Sequence, residues 1–285
     1  MLPQETLIAR VREVCRADDR LVAAMMYGSF ARGEGDAFSD VEFILFFADD
    51  LLPALDQRAW VAQIAPVALN FVNEFGIGTA IFDTFIRGEF HFDRASDIAK
   101  VDESWRSTDW FPSLDATLVL DRTGELTRRL AALIGPPPAR DAPEQIRFLA
   151  DSLVNWLLFG SNVLARGELA RALDLLGHAQ RYLLWLARLA TGATEHWPTP
   201  SKSLEGDLPA AAYARYAACT APLDAAALRA AYRAACAWGA ELLGALSAQY
   251  GLALPVELLG RVGAPSPPDP LSQRWERGSG QEQRR

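Results

Sequence analysis

The sequence predicts an α+β fold, in which a mixed sheet with flanking helices is followed by an all-α antiparallel helical bundle. Short apolar runs of strand length alternate with helical patterns as far as residue 134, whereas residues 143–263 show helical spacing almost throughout. Between them stands Gly135-Pro136-Pro137-Pro138, which is typical of a domain boundary. We therefore predict a first domain over residues 1–134, a second over 143–263, and a disordered tail over 264–285.

Size, charge and cysteine content narrow the class of protein. A chain of 285 residues suits two domains, and a formal net charge of −8 favours a small-molecule substrate over nucleic acid. The three cysteines lack metal-ligand spacing, which fits buried thiols in a reducing compartment. The chain has no N-terminal targeting pattern and no uninterrupted apolar run of the roughly 20 residues that a membrane span needs. These features predict a cytoplasmic protein without nucleic-acid or membrane partners.

The elements of the first domain follow from apolar spacing and turn residues. Helices are predicted over residues 4–16, 29–34, 56–65 and 124–134. Strands are predicted over residues 21–26, 41–47, 67–73, 79–83, 88–92 and 116–120. Residues 97–112 are expected to form a polar connector that carries two tryptophans.

The second domain shows apolar stripes at helical intervals. Ile146, Leu149, Leu153, Trp156 and Leu157 form one stripe, and a leucine stripe over residues 169–186 forms another. After a break rich in Pro and Ser over residues 197–209, helices are predicted over 210–219 and from 224 to about 249. Asp224 is the expected N-cap of the last of these helices.

Two carboxylates on one strand point to metal chemistry. Strand residues alternate between faces, so Asp40 and Glu42 share one face while Val41, Phe43 and Leu45 point into a core. Adjacent ionised carboxylates repel each other, and each raises the pKa of the other. A fold tolerates such a pair best when a divalent cation lies between them, and oxygen ligands of this kind suit Mg²⁺.

A later strand offers a third acidic group. In the run 87–92, Glu89 and His91 lie on one face and Phe90 and Phe92 on the other, so Glu89 is the natural candidate. Asp83 competes for this role, although an aspartate at the end of a strand is often a turn former. Glu89 could instead pair with Arg87 or Arg94. His91 could contact substrate or orient Glu89, or it could be a structural histidine.

These motifs resemble the nucleotidyltransferase superfamily typified by DNA polymerase beta, and more closely the larger lincosamide nucleotidyltransferases. The shared motif is a Gly-Ser turn, here Gly28-Ser29, followed after ten intervening residues by a strand with the pattern Asp-x-Glu, here Asp40-Val41-Glu42. The closer resemblance is carried over about residues 1–260 by the runs Met25-Met26-Tyr27-Gly28-Ser29-Phe30, Gly33-Glu34-Gly35-Asp36, Ser39-Asp40-Val41-Glu42-Phe43, Ile81-Phe82-Asp83, Arg87-Gly88-Glu89-Phe90-His91-Phe92 and Asn162-Val163-Leu164-Ala165-Arg166-Gly167-Glu168.

The resemblance implies a nucleotidyltransferase-fold sheet and a reaction. A nucleoside monophosphate would pass from a nucleoside triphosphate to a sugar hydroxyl of a lincosamide antibiotic such as lincomycin or clindamycin, inactivating it and releasing pyrophosphate. It implies Mg²⁺ as cofactor, held by Asp40 and Glu42, and Glu89 as the general base that takes the proton of the acceptor hydroxyl. Gly28, Ser29 and Ser39 would contact the triphosphate, and the protein would be a homodimer.

Two other functions stay open at this point. The same chemistry could serve another hydroxylated acceptor such as an aminoglycoside, although the helical half lacks the dense acidic cluster that a polycation would require. The fold could also be a non-catalytic nucleotide-binding module, although the intact acidic set argues against that. Several further residues are expected to be structural or solvated: Arg32, His178, His196, Trp156, Trp185 and Trp238. The alternatives are that Arg32 binds triphosphate and that one or two of these tryptophans line an acceptor pocket.

Overall fold

The computed structural model describes residues 1–262 of the chain. It divides into two compact units, of which the first is Met1–Pro138 and the second begins at Ala139. The domain limits drawn from the sequence stay a prediction, and the predicted tail over 264–285 lies outside the described residues.

The first unit is built on a six-stranded sheet. Its strands are β1 Leu21–Tyr27, β2 Val41–Phe47, β3 Val67–Val72, β4 Gly78–Phe82, β5 Arg87–Arg94 and β6 Leu118–Asp121. Their order in the sheet is β3-β4-β5-β2-β1-β6. Strands β2 and β5 are parallel, and all other neighbouring pairs are antiparallel. The predicted mixed sheet is confirmed, because each predicted strand is present within a few residues.

Six helices flank this sheet. They are α1 Pro3–Ala17, α2 Gly28–Arg32, α3 Gln57–Val61, α4 Val101–Trp105, α5 Leu114–Thr117 and α6 Glu125–Ala131. The stretch that we expected to be a connector instead contains a 3-10 helix, Ala95–Lys100, and α4. The sequence pattern missed them because each is too short for helical periodicity to show. This segment matters because α4 carries Trp105 to the site described below.

The core of the first unit forms around β2. This strand is buried on both faces from Phe43 to Phe47, as expected for a central strand with a parallel neighbour. An aromatic cluster on one side packs Trp60 edge-on against Phe47 and Phe92. The Trp60 indole N–H donates to Asp18 at 3.0 Å, so the buried polar atom is satisfied. The rigid centre of the sheet thereby fixes the strand that carries Glu42.

In the described residues of the second unit, all regular secondary structure is helical. Its helices are α7 Pro143–Ala165, α8 Leu169–Thr191, α9 Leu204–Asp207, α10 Ala210–Ala218, α11 Ala225–Tyr250 and α12 Val256–Val262. Asp224 caps α11 through bonds from the amides of Ala226 and Ala227, as predicted. The short connection between α7 and α8 makes these two helices antiparallel neighbours, as in a bundle. By length and composition alone α7 could cross a membrane, but one of its faces is buried in the helical core.

The structure also shows the surroundings of several tryptophans, histidines and cysteines that were expected to be structural. Trp238 is buried in the core, whereas Trp156 is partly buried and stacks on the His178 ring at 4.4 Å. His196 bonds Asp207 at 2.6 Å, and Asp207 also accepts from the fully buried Arg188 at 2.8 Å. The three cysteines of the chain are free and buried, as predicted.

Candidate active site

A tight turn between β1 and α2 forms one wall of the site. Gly28 follows Tyr27 with φ of +73°, a left-handed conformation that glycine adopts without strain. A Cβ atom at this position would overlap the carboxylate of Glu42. Only a glycine therefore lets the turn approach the second strand this closely.

Three polar side chains form a row across neighbouring strands. Tyr27 on β1 lies opposite Glu42 on β2, and Glu42 lies beside Glu89 on β5 in the parallel register. Residues in register share a face of the sheet, so these side chains project together. Asp40 lies immediately before β2 and raises the pKa of Glu42 electrostatically, as the alternation argument predicts for neighbours on one face.

Arg87 joins two of the carboxylates. Its guanidinium forms ion pairs with Asp40 and with Glu89, which lies two residues further along β5. The Glu89 side chain is 14% exposed and that of Asp40 is 31% exposed, so the cluster is partly buried. It lies near the start of the central strands β2 and β5. Positive charge is therefore already required to hold these carboxylates together.

The surroundings of Glu42 disfavour its ionised form. Burial, with the negative charges of Asp40 and Glu89, raises the pKa of Glu42 to about 7. Arg32 and Arg87 offset only part of this effect. A carboxylate in this state gains stability from any cation that approaches it.

A tyrosine and a histidine extend the row. The Tyr27 hydroxyl lies 2.9 Å from His91 Nε2 and 3.3 Å from Glu89 Oε2. Burial and the carboxylates of Glu42 and Glu89 raise the pKa of Tyr27 far above its ordinary value, while burial lowers the pKa of His91. The Tyr27 ring packs edge-on against Trp105 at 5.3 Å. Tyr27 is therefore a protonated hydroxyl in a fixed position.

The two serines proposed as triphosphate contacts differ in the structure. The Ser29 hydroxyl is buried and has no hydrogen-bond partner, which marks it as a donor that a ligand could satisfy. The Ser39 hydroxyl instead donates to Asp36 Oδ1 at 2.9 Å and accepts from the Asp36 amide. Ser39 thus shapes the loop that leads into Asp40.

Two expectations about charged residues have clear structural outcomes. We expected Arg32 to be solvated, and this was wrong: its side chain is 12% exposed and pairs with Asp109 at 3.5 Å. Arg32 is the last residue of α2, within the helix predicted over residues 29–34. Asp83 lies exposed in the turn after β4, where its backbone N–H donates to Pro66. The structure brings Glu89 into the carboxylate row and leaves Asp83 in a turn.

A cavity of about 410 Å³ opens beside the carboxylates. It is lined by Asp40, Arg87 and Gln4 together with the residue runs 37–39 and 84–86. Phe38 and Phe85 are 95% and 91% exposed, and Phe85 holds an unusual φ of +60° for a residue with a bulky side chain. Two exposed aromatic rings beside charged groups suit a ligand with both apolar and polar surface.

Among the described residues, the carboxylates do not form a preformed metal site. Within residues 1–262, no group of three or more His, Cys, Asp or Glu side chains has the arrangement of a preformed metal site. The contacts of Arg87 with Asp40 and Glu89 account for this, because its guanidinium lies between two of the carboxylates.

Sequence reasoning missed two residues of this site, Tyr27 and Trp105, and it named Arg87 only as a possible ion partner of Glu89. The structure shows that ion pair, and the alternation that placed Glu89 and His91 together also places Arg87 on their face. Tyr27 adjoins the Gly-Ser turn, but nothing in the sequence pairs it with His91. Trp105 comes from a distant helix, and no local pattern could predict its contact.

The fold and the site have the features that the sequence resemblance implied. A Gly-Ser turn faces a row of carboxylates on adjacent strands of a mixed sheet, and a helical unit follows. This is the arrangement that the resemblance to nucleotidyltransferases predicts.

Comparison with known proteins found a family match in the helical half. Residues 142–264 match the family described as lincosamide nucleotidyltransferase-like, C-terminal domain. A search of curated proteins by sequence found no match.

Two solved structures are similar to the chain at low identity. An aminoglycoside 6-adenyltransferase from Bacillus subtilis is 12% identical, with 91% of this chain and 95% of that chain covered and a TM-score of 0.43. A nucleotidyltransferase-like protein from Exiguobacterium sibiricum 255-15 is 14% identical, with 84% and 78% covered and a TM-score of 0.39.

The close approach at Gly28 yields a first prediction. Gly28→Ala should displace the Glu42 carboxylate and strain the turn, so we expect turnover to be lost and the melting temperature to fall. Gly33→Ala is the matched control, because Gly33 has a similar φ of +77° and open space where its Cβ would lie. Gly33→Ala should cost only about 1 kcal/mol of stability and leave turnover intact. Equal loss of turnover in both variants would contradict the role of the overlap.

The raised pKa of Glu42 yields a second prediction, in metal-free buffer. The unfolded carboxyl ionises near its ordinary value of 4.5, whereas the folded one stays protonated up to about 7. Its contribution is therefore most favourable below pH 4.5 and is lost as the pH rises to 7. Glu42→Gln cannot ionise, so at pH 8 it should be more stable than wild type, by up to about 3 kcal/mol.

Thermal melts of both proteins between pH 4.5 and pH 8 in the presence of a chelator measure this difference. The gap should narrow steadily as the pH falls. Glu74→Gln, at an exposed glutamate, is the control and should show no such trend. A constant gap between Glu42→Gln and wild type across the range would refute the electrostatic account.

Proposed function

We propose that the protein transfers a nucleoside monophosphate from a nucleoside triphosphate to a hydroxyl of a lincosamide antibiotic, inactivating it and releasing pyrophosphate. The observation that carries the proposal is the row of Glu42 and Glu89, with Asp40 beside it, facing the Gly28-Ser29 turn. The lincosamide acceptor is supported by the family of the C-terminal domain. Each residue of the site then has a distinct task.

The Gly28-Ser29 turn is suited to bind phosphate. Without a Cβ at Gly28, the turn packs directly against the Glu42 carboxylate, so a phosphate bound by the turn would also lie close to that carboxylate. The buried and unpartnered hydroxyl of Ser29 can donate to a phosphate oxygen, which would remove the cost of leaving it unpaired. Ser39 contributes indirectly by fixing the loop before Asp40, in addition to any contact of its own with the triphosphate.

Asp40 and Glu42 are the proposed ligands of Mg²⁺. They fit this ion by their chemistry, since both are oxygen donors and the pKa of Glu42 is raised by burial and by neighbouring negative charge. These two carboxylates would hold the ion, which would supply electrostatic stabilisation of the negative charge that develops during transfer. The protein itself contributes the alignment, because Glu42 lies on the buried strand β2 and Asp40 lies immediately before it.

Glu89 is the proposed general base. Its carboxylate lies beside Glu42 in the register of β2 and β5, so an acceptor hydroxyl near it would also be near the transferred phosphoryl group. Removing a proton from the attacking hydroxyl contributes about 10²- to 10⁴-fold to rate. The ion pair with Arg87 involves Glu89 Oε1 and holds this carboxylate in place.

The cavity beside Asp40 is the proposed site of the acceptor. Its lining combines Asp40, Arg87 and Gln4 with the exposed rings of Phe38 and Phe85. A lincosamide offers both hydroxyl groups and apolar surface, so it matches such a lining. We also propose that the protein acts in the cytoplasm as a homodimer, as the sequence predicted.

The test of this function is product analysis. Pure protein is incubated with lincomycin, Mg²⁺ and each of the four common nucleoside triphosphates in turn, and the product is weighed by mass spectrometry. We expect a mass gain of one nucleoside monophosphate. Asp40→Ala should abolish turnover, and Glu89→Gln should lower it by about 10²- to 10⁴-fold while the affinity for the triphosphate is kept.

The outcomes separate the alternatives. Modification of an aminoglycoside but not of lincomycin would transfer the proposal to that acceptor. Triphosphate binding without modification of either would indicate a non-catalytic module. Wild-type turnover in Glu89→Gln would remove the general base from the mechanism and make Asp83 the next residue to test.

The cavity gives a separate prediction about specificity. Phe85→Ala should raise the KM for lincomycin several-fold, because it removes an exposed apolar surface from the proposed acceptor site. The KM for the triphosphate should not change. Phe75→Ala is the control, since Phe75 is 78% exposed on the same unit and does not line this cavity. A rise in the KM for the triphosphate instead would assign the cavity to the nucleoside.

A further inference from the structure

The hydrogen bonds around Tyr27 extend the site beyond the residues that bind phosphate or metal. The Tyr27 hydroxyl contacts both His91 Nε2, at 2.9 Å, and Glu89 Oε2, at 3.3 Å. A tyrosine hydroxyl has one proton to donate and can accept another bond. An ionised Glu89 can only accept. These simple counts restrict how the protons can be arranged.

Only one arrangement makes both contacts hydrogen bonds. If His91 carries its proton on Nε2, it donates to the Tyr27 oxygen, and Tyr27 then donates to Glu89. If His91 lacks a proton on Nε2, Tyr27 must donate to His91, and two acceptor oxygens would face each other 3.3 Å apart without a proton between them. The first arrangement also gives the carboxylate a charge-assisted bond, which is the stronger kind.

The Glu89 carboxylate is then held at both of its oxygens. Arg87 pairs with Oε1, and Tyr27 donates to Oε2. Each oxygen keeps a second lone pair, so the carboxylate can still accept a proton. The Tyr27 ring is itself held between His91, at 5.6 Å, and Trp105, at 5.3 Å between ring centroids.

We propose that Tyr27 and His91 are positioning residues for Glu89: His91 donates from Nε2 to the Tyr27 oxygen, and this directs the Tyr27 proton to Glu89 Oε2. The role of Glu89 as base rests on the proposed function, whereas the direction of the hydrogen bonds rests on the two contacts of the Tyr27 hydroxyl and on an ionised Glu89. The charged groups around this chain of bonds include Arg87, Asp40, Glu42 and Asp93. Neither Tyr27 nor His91 touches the transferred group in this scheme.

Nuclear magnetic resonance tests the direction of the bonds without any substrate. The chain has only 3 histidines, so the ring of His91 can be assigned by comparing wild type with His91→Gln. Long-range proton–nitrogen correlations at pH 8 report whether Nε2 carries a proton. We expect a protonated Nε2, and a changed His91 ring spectrum in Tyr27→Phe. A ring without a proton on Nε2 would overturn the proposal.

Turnover of Tyr27→Phe tests the positioning role. A misplaced base slows the chemical step, so we expect kcat to fall by about tenfold to a hundredfold with the KM for the triphosphate unchanged. Tyr213→Phe is the matched control, because the Tyr213 hydroxyl also bonds a glutamate at 3.3 Å but lies in the helical unit. An unchanged kcat in Tyr27→Phe would overturn the role.

The His91 variants complete the test. His91→Gln keeps an N–H donor and should retain more activity than His91→Leu, and this difference should vanish in the Tyr27→Phe background, where no tyrosine oxygen remains to accept. Equal activity of His91→Gln and His91→Leu in the wild-type background would count against His91. If wild-type protein does not modify lincomycin, the proposed function fails, while the resonance measurement still decides the direction of the bonds.

Discussion

Electrostatic repulsion among three carboxylates is the constraint on which the first unit depends. Asp40, Glu42 and Glu89 lie together near the start of the central strands β2 and β5, where burial weakens the screening of their charges by water. Arg87 forms ion pairs that offset the negative charges of Asp40 and Glu89. The pKa of Glu42, which forms no such pair with Arg87, is raised to about 7 by burial and by these two carboxylates. A protein keeps such a cluster at a cost in stability, and clusters of this kind are concentrated at functional sites.

The fold supplies this cluster through the register of its strands. The parallel pairing of β2 and β5 sets Glu42 beside Glu89, and the antiparallel pairing of β1 and β2 sets Tyr27 beside Glu42. Gly28 then allows the chain to turn directly over the Glu42 carboxylate. The aromatic core under β2 makes the strand rigid, which matters because phosphoryl transfer depends on alignment and charge stabilisation more than on covalent participation of the protein.

Local patterns in the sequence were enough to predict much of this site. The alternation of strand residues placed Asp40 with Glu42 and Glu89 with His91, and apolar spacing predicted the sheet and the helical half. The contacts that complete the site join distant segments: Tyr27 with His91, Arg32 with Asp109, and Trp105 with Tyr27. Such contacts depend on how the strands and the short helices pack, and one sequence does not contain that information.

The most direct measurement of the central claim is a calorimetric titration of the wild-type protein with a non-hydrolysable nucleoside triphosphate analogue, with and without Mg²⁺. A carboxylate cluster that holds the metal against the phosphates predicts clear binding with Mg²⁺ and little without it, since the bare triphosphate would be repelled by Glu42 and Asp40. The same affinity in the presence of a chelator would contradict the account and would assign the phosphate site to other residues of the chain.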